Sequence, residues 1–233
     1  MRRSPLIAPP GAIPAPSPSK APSSTASATP PWSASSARWA EVHASLEEVV
    51  DALVAALAGA DTVYALLGGF AVNAYGFPRM TRDVDVCVDV HRDEAEAVEG
   101  LLDALEAAGF RANRPAIRAR LDAGRGLLTV YLGLTRLDVF LRRPGDAWGS
   151  VLENRRPLGD GEPGLWLASP EDIVAMKLAA GRPRDLEDVR AMVDLNRDRM
   201  DLARLRRLVA DLASRSDRAE LTTMLEQVLA STS

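Results

Sequence analysis

Apolar residues recur at three- and four-residue steps from Trp39 to Leu57, in "WAEVHASLEEVVDALVAAL", and Gly59 follows as a stop. That periodicity predicts an amphipathic helix. "TVYALL" (62–67) is a short β-prone run ending at Gly68-Gly69, and "FAVNAYG" then predicts one or two helical turns closed by Gly76 and Pro78. From Asp83 to Val90, "DVDVCVDV" alternates valine with carboxylate or small residues, the signature of a strand with one buried valine face. "RDEAEAVEGLLDALEAAG" (92–109) predicts a second amphipathic helix with a glycine end. "LLTVYLGL" (127–134) and "RLDVFL" (136–141) predict two strands joined as a hairpin or a bulged continuation.

Beyond Pro144 the pattern turns mainly helical. Ser169-Pro170-Glu171-Asp172 supplies an N-cap serine, a proline at the first helical position and acids in the first turn, and this helix ends at Gly181-Arg182-Pro183. "DLEDVRAMVDL", "DLARLRRLVADLA" and "RAELTTMLEQVLA" predict three more helices. The first 36 residues are rich in Pro, Ala and Ser and are expected to form a disordered arm. The expected fold class is therefore α/β (α+β). An arm (1–36) precedes a core of mixed sheet and flanking helices (37–145), and a helical C-terminal block follows (146–233).

Composition narrows the chemistry more than the fold. His43 and His91 are the only histidines and Cys87 the only cysteine, which removes most catalytic triads, zinc sites and disulfide frameworks. Both Cys87 and His91 read as structural. The net charge of −4 argues against a generally basic surface but leaves room for a local basic groove. No run is long and apolar enough for a membrane span or a signal peptide, so no membrane partner is expected and the cytoplasm is the expected compartment.

The remaining chemistry lies in carboxylates. On a strand Asp83 and Asp85 share one face, and two like charges so close repel unless a cation or donor neutralises them. An exposed polar edge is the plain alternative. Asp138, flanked by apolar residues in "TRLDVFL", offers a third carboxylate, completing a hard-oxygen set for one or two Mg²⁺ ions. Gly68-Gly69, at the turn into a helix, would let backbone approach a phosphate, although such a turn also uses glycine for geometry alone.

"GGFAVNAYGFPRMTRDVDV", with the single later Asp138, resembles the DNA polymerase β-like nucleotidyltransferases. Together with "SPEDIVAMKLAAGRPRDLEDV" it more narrowly resembles their AbiEii-like branch, toxins of type IV toxin–antitoxin systems, over about 63–195. The resemblance implies a nucleotidyltransferase-like mixed sheet. It also implies Mg²⁺-dependent transfer of a nucleoside monophosphate from a nucleoside triphosphate to a hydroxyl; the expected acceptor is a nucleic acid or a protein, with RNA and in particular tRNA leading, and a cognate antitoxin is the expected partner. Asp83 and Asp85 would then hold the metal gripping the triphosphate. Asp138 with the same pair would hold a second metal at the acceptor hydroxyl, and Gly68 and Gly69 would meet the phosphates. The family often carries serine where this chain has Gly69, so a hydroxyl that would reach phosphate is absent from that position. A small-molecule (antibiotic) acceptor and a non-catalytic nucleotide- or partner-binding role are the alternatives.

Only two of the 28 basic residues are lysines, Lys20 and Lys177. On the helix from Pro170, helical spacing puts Lys177 in an apolar arc with Ile173, Met176 and Ala180, and places Glu171, Asp172, Ala175 and Ala179 outside it. Lys177 is thus either a phosphate ligand or a side chain snorkelling past the helix edge. Asp185 and Asp188, expected in the first turn of the next helix, either match its dipole or, as the branch pattern suggests, orient Lys177 or the acceptor. Arg79 and Arg82 would contact phosphate or neutralise Asp83 and Asp85.

Overall fold

The computed structural model describes residues 44–143, 145–158 and 165–232. The expected arm, His43 and the stretch from Trp39 to His43 lie outside them. The first described helix, α1 (Leu46–Gly59), starts later than the apolar periodicity suggests because Ser45 and Glu48 form a capping box. The Glu48 amide donates to Ser45 Oγ at 3.1 Å and the Ser45 amide donates to Glu48 Oε2 at 2.7 Å. Next come β1 (Tyr64–Leu66), α2 (Gly68–Ala74), β2 (Asp83–His91), α3 (Ala95–Ala107), β3 (Arg111–Ala112) and α4 (Arg114–Asp122). The hairpin is β4 (Leu127–Leu132) and β5 (Thr135–Arg142), antiparallel and in continuous register as expected.

The C-terminal part is mainly helical, as expected, and adds two short strands to the sheet. Between α5 (Trp148–Glu153) and α6 (Pro170–Ala180) the chain forms two three-residue strands, β6 (Arg156–Leu158) and β7 (Leu165–Leu167). β7 runs parallel to β1, with Leu167 opposite Leu66, so the sheet continues across the 145/146 boundary. The chain then closes with α7 (Pro183–Asn196), α8 (Leu202–Ser216) and α9 (Glu220–Ser231). The result is one mixed sheet in the order β3-β4-β5-β2-β1-β7-β6. β2 sits at its centre, antiparallel to β1 and parallel to β5.

Two details of the helices differ from the periodic reading. α6 is buried on nearly every side: Glu171 is 1% and Asp172 3% exposed, beside Ile173, Val174, Ala175 and Leu178. Arg204 on α8 explains this, giving Asp172 two hydrogen bonds at 2.8 Å and lying near Glu171, so both acids are buried as partners. On α7 Asp185 does lie in the first turn, but the helix opens at Pro183 and Asp188 falls in the second turn.

Candidate active site

Strand register brings the three carboxylates to one face. In the parallel β2–β5 pairing Asp85 stands directly beside Asp138, and Asp83 beside Arg136. The row continues on both sides. Thr129 of β4 lies opposite Asp138 and donates its hydroxyl to Asp138 Oδ1 at 2.8 Å. Beyond Asp85, the Leu67 amide donates to the Asp85 carbonyl at 2.8 Å, which sets Gly68 against the Asp85 side chain. Gly68 has φ +59°, and a β-carbon there would lie 1.9 Å from Asp85 Oδ2. Glycine is required twice over at this position, by conformation and by space.

Gly69 has a different reason. A β-carbon there would lie 2.5 Å from Thr81 Oγ1, so the Thr81 hydroxyl occupies the room a serine would need. Thr81 in turn lies 3.3 Å from both the carbonyl and Oδ1 of Asp83. The loop carrying it is strapped down: Asn73 accepts from the Arg79 amide at 3.0 Å and donates to the Arg79 carbonyl at 2.9 Å.

Crowding shows in the electrostatics. The pKa of Asp85 is pushed up to about 6, first by burial and then by the neighbouring charges of Asp83 and Asp138. Three carboxylates without a nitrogen or sulfur donor are the set Mg²⁺ prefers, and their mutual repulsion calls for a cation. As placed, however, no group of three His, Cys, Asp or Glu side chains among the described residues forms a ready ligand cluster. Arg136 stands among these carboxylates, two residues before Asp138 on the same strand face. Its guanidinium hydrogen-bonds Asp83 Oδ2 and lies 3.5 Å from Asp138 Oδ2. Sequence reading passed over Arg136, although i, i+2 alternation from Asp138 was signal enough.

These residues line a cavity of about 1070 Å³ between the sheet and the C-terminal helices. Gly68, Gly69, Arg79, Arg82, Asp83, Asp85, Asp138, Lys177 and Asp185 all border it, whereas Asp188 lies behind the wall. Asp188 is 1% exposed and joins two cations: Arg79 Nε at 2.8 Å and Lys177 Nζ at 2.6 Å. Lys177 Nζ also lies 3.2 Å from Asp185 Oδ1. Lys177 therefore does not sit unpaired in an apolar arc; it is buried by a carboxylate pair and borders the cavity. Arg82 is exposed at the mouth and forms no ion pair among the described residues. Cys87 is fully buried, its thiol pushed up to about 12 by burial, in keeping with a structural role.

The sequence profile of the family described as "Nucleotidyl transferase AbiEii toxin, Type IV TA system" matches residues 51–231. No curated protein matches. Among solved structures, the solution structure of the antibiotic-resistance factor ANT(2'')-Ia is 15% identical with a TM-score of 0.51, over 75% of this chain and 95% of that one. A crystal structure of ANT(2'')-Ia in complex with adenylyl-2''-tobramycin is 16% identical with a TM-score of 0.50, over 74% and 99% of the two chains. An antigenic nucleotidyltransferase-like protein from Paracoccidioides brasiliensis is 21% identical with a TM-score of 0.36, over 78% and 94%.

Proposed function

Because the chain belongs to the AbiEii nucleotidyltransferase family, we propose that it transfers a nucleoside monophosphate from a nucleoside triphosphate to an RNA hydroxyl, with tRNA the leading acceptor. The proposed setting is a toxin–antitoxin pair in the cytoplasm. The observation that carries the reading is the row Thr129–Asp138–Asp85–Gly68, which sets two neighbouring carboxylates at the floor of a cavity against open backbone. Asp83, Asp85 and Asp138 would hold one or two Mg²⁺ ions, which supply charge neutralisation at the leaving pyrophosphate and the attacking hydroxyl. Gly68 and Gly69 border the cavity, where their backbone would meet the triphosphate. Arg79 and Lys177 face the same cavity and would pair with its phosphates. Asp188 positions both by holding each at one of its oxygens, and Asp185 adds a second contact to Lys177.

The charges around the cavity support a polyanionic acceptor. Six basic residues line it (Arg79, Arg82, Arg136, Lys177, Arg182 and Arg184) against four acidic ones, Asp83, Asp85, Asp138 and Asp185. With three of those acids holding metal and Arg79, Arg136 and Lys177 given to the triphosphate, Arg82, Arg182 and Arg184 would remain against Asp185, a balance that favours a nucleic acid over a polycation. The same census weighs against an aminoglycoside acceptor such as the tobramycin seen with ANT(2'')-Ia.

The test is incubation with each α-labelled nucleoside triphosphate, Mg²⁺ and total RNA, alongside tobramycin and an Asp85→Asn control. Label in RNA, lost in the control, is the expected result. Label in tobramycin alone would replace the acceptor, and nucleotide binding without any transfer would favour the non-catalytic role.

A further inference from the structure

Arg136 is placed by the strands rather than by the core. Alternation along β5 puts it on the face of Asp138, and the parallel register puts it beside Asp83. Its side chain is 45% exposed, so no packing fixes its tip. It nonetheless takes up Asp83 Oδ2 and approaches Asp138 Oδ2, while Thr81 and Thr129 occupy the other oxygen of each. All four oxygens of these two carboxylates are thereby engaged within the protein. A divalent cation at Asp83 competes with the guanidinium already on Oδ2, and a guanidinium repelled from there is free to meet another anion. Its planar fork matches a phosphate as well as a carboxylate.

We propose that Arg136 is an internal counter-cation that bridges Asp83 and Asp138 until a metal–triphosphate arrives and then passes to the triphosphate, so that metal and nucleotide bind cooperatively. The proposal rests on the nucleotidyltransferase reading of this site and adds to it a residue that sets the order and coupling of binding. In this scheme Mg²⁺ alone competes with a tethered positive charge and binds weakly. A triphosphate draws that charge away, and the two ligands tighten one another reciprocally.

The test uses the full chain, wild type and Arg136→Met, with Mn²⁺ as the probe followed by electron paramagnetic resonance. A non-hydrolysable nucleoside triphosphate is titrated with and without metal. Without nucleotide, Arg136→Met should bind Mn²⁺ about ten-fold more tightly, the effect of removing one unit charge beside a divalent ion in largely water-screened surroundings. It should bind the triphosphate about ten-fold more weakly and lose most of the coupling between the two ligands. Arg136→Lys, which keeps the charge, should retain the weak Mn²⁺ binding of the wild type and serves if the Met variant folds poorly. Equal or weaker Mn²⁺ binding by Arg136→Met, or tight binding by Arg136→Lys, would overturn the role given to Arg136 while leaving the transferase reading standing. Failure of both the wild type and Arg136→Met to bind Mn²⁺ would remove the metal site, and the proposal would fall with it.

Discussion

A methyl group at Gly68 would collide with the carboxylate on which the proposed chemistry depends, and the backbone there is left-handed. Gly68→Ala is expected to lose roughly 1–2 kcal/mol from conformation alone and to displace Asp85, so Mn²⁺ affinity should fall with the denaturant midpoint. Retained metal binding in a destabilised variant would show that Asp85 need not sit where it does. Asp85→Asn should abolish transfer without destabilising the fold, because it relieves crowding with Asp83 and Asp138; activity within a few-fold of wild type would sink the metal assignment. Lys177→Met should weaken triphosphate binding and, since Lys177 is paired, also destabilise the free protein. The loss should be about 1–3 kcal/mol, less than the roughly 3–5 kcal/mol of an outright stranded charge, because Arg79 still holds Asp188. A denaturant midpoint at or above wild type would contradict that pairing. The shared face of Asp83 and Asp85 was legible because strand alternation turns spacing into geometry, whereas Asp138 joins them through the β2–β5 register, which spacing does not show. Lys177 was half legible: its burial follows from helical spacing, but its partners sit on another helix.

The elements that sequence reading missed share a physical cause. β6 and β7 have three residues each, too few to display a period of two, and β7 is defined by its pairing with β1 rather than by any pattern of its own. α4 buries only Ile117 and so lacks an apolar stripe; Asn113 at its N-cap and Pro115 in its first turn were the available signals. α6 misled because its acids are buried by Arg204, thirty-two residues from Asp172 and absent from any local window. Arg204→Met should therefore be among the most damaging single changes away from the cavity, at about 3–5 kcal/mol for a stranded buried charge, read from the denaturant midpoint. A change below 1 kcal/mol would mean that Arg204 is not what makes the burial of Asp172 tolerable. Burial outweighs the donors from Ser169 and Arg204 and raises the pKa of Asp172. A raised folded pKa adds stability below the unfolded pKa that is lost as pH rises through the folded one, so acid should narrow the deficit of the variant.

The whole molecule is organised around a sheet whose neighbours are distant in sequence. β1 joins β2 on one side and β7 on the other, so the C-terminal part contributes to the central sheet as well as to the helical wall. A chain ending at Leu158 lacks β7, α6 and everything after them, and it leaves Leu66 and the free edge of β1 uncovered. Such a fragment should show no cooperative thermal transition; a sharp transition would establish that the part up to Leu158 folds alone.

The same pairing orders events on the ribosome. Leu66 must wait about a hundred residues for Leu167, which at about 5–20 residues per second leaves its edge open for roughly 5–20 s. All three carboxylates have been polymerised before then, whereas Lys177, Asp185 and Asp188 follow Leu167. A nascent chain thus carries the acidic floor of the cavity before it has the wall that would grip a triphosphate. The site therefore cannot grip a triphosphate until synthesis has passed Asp188.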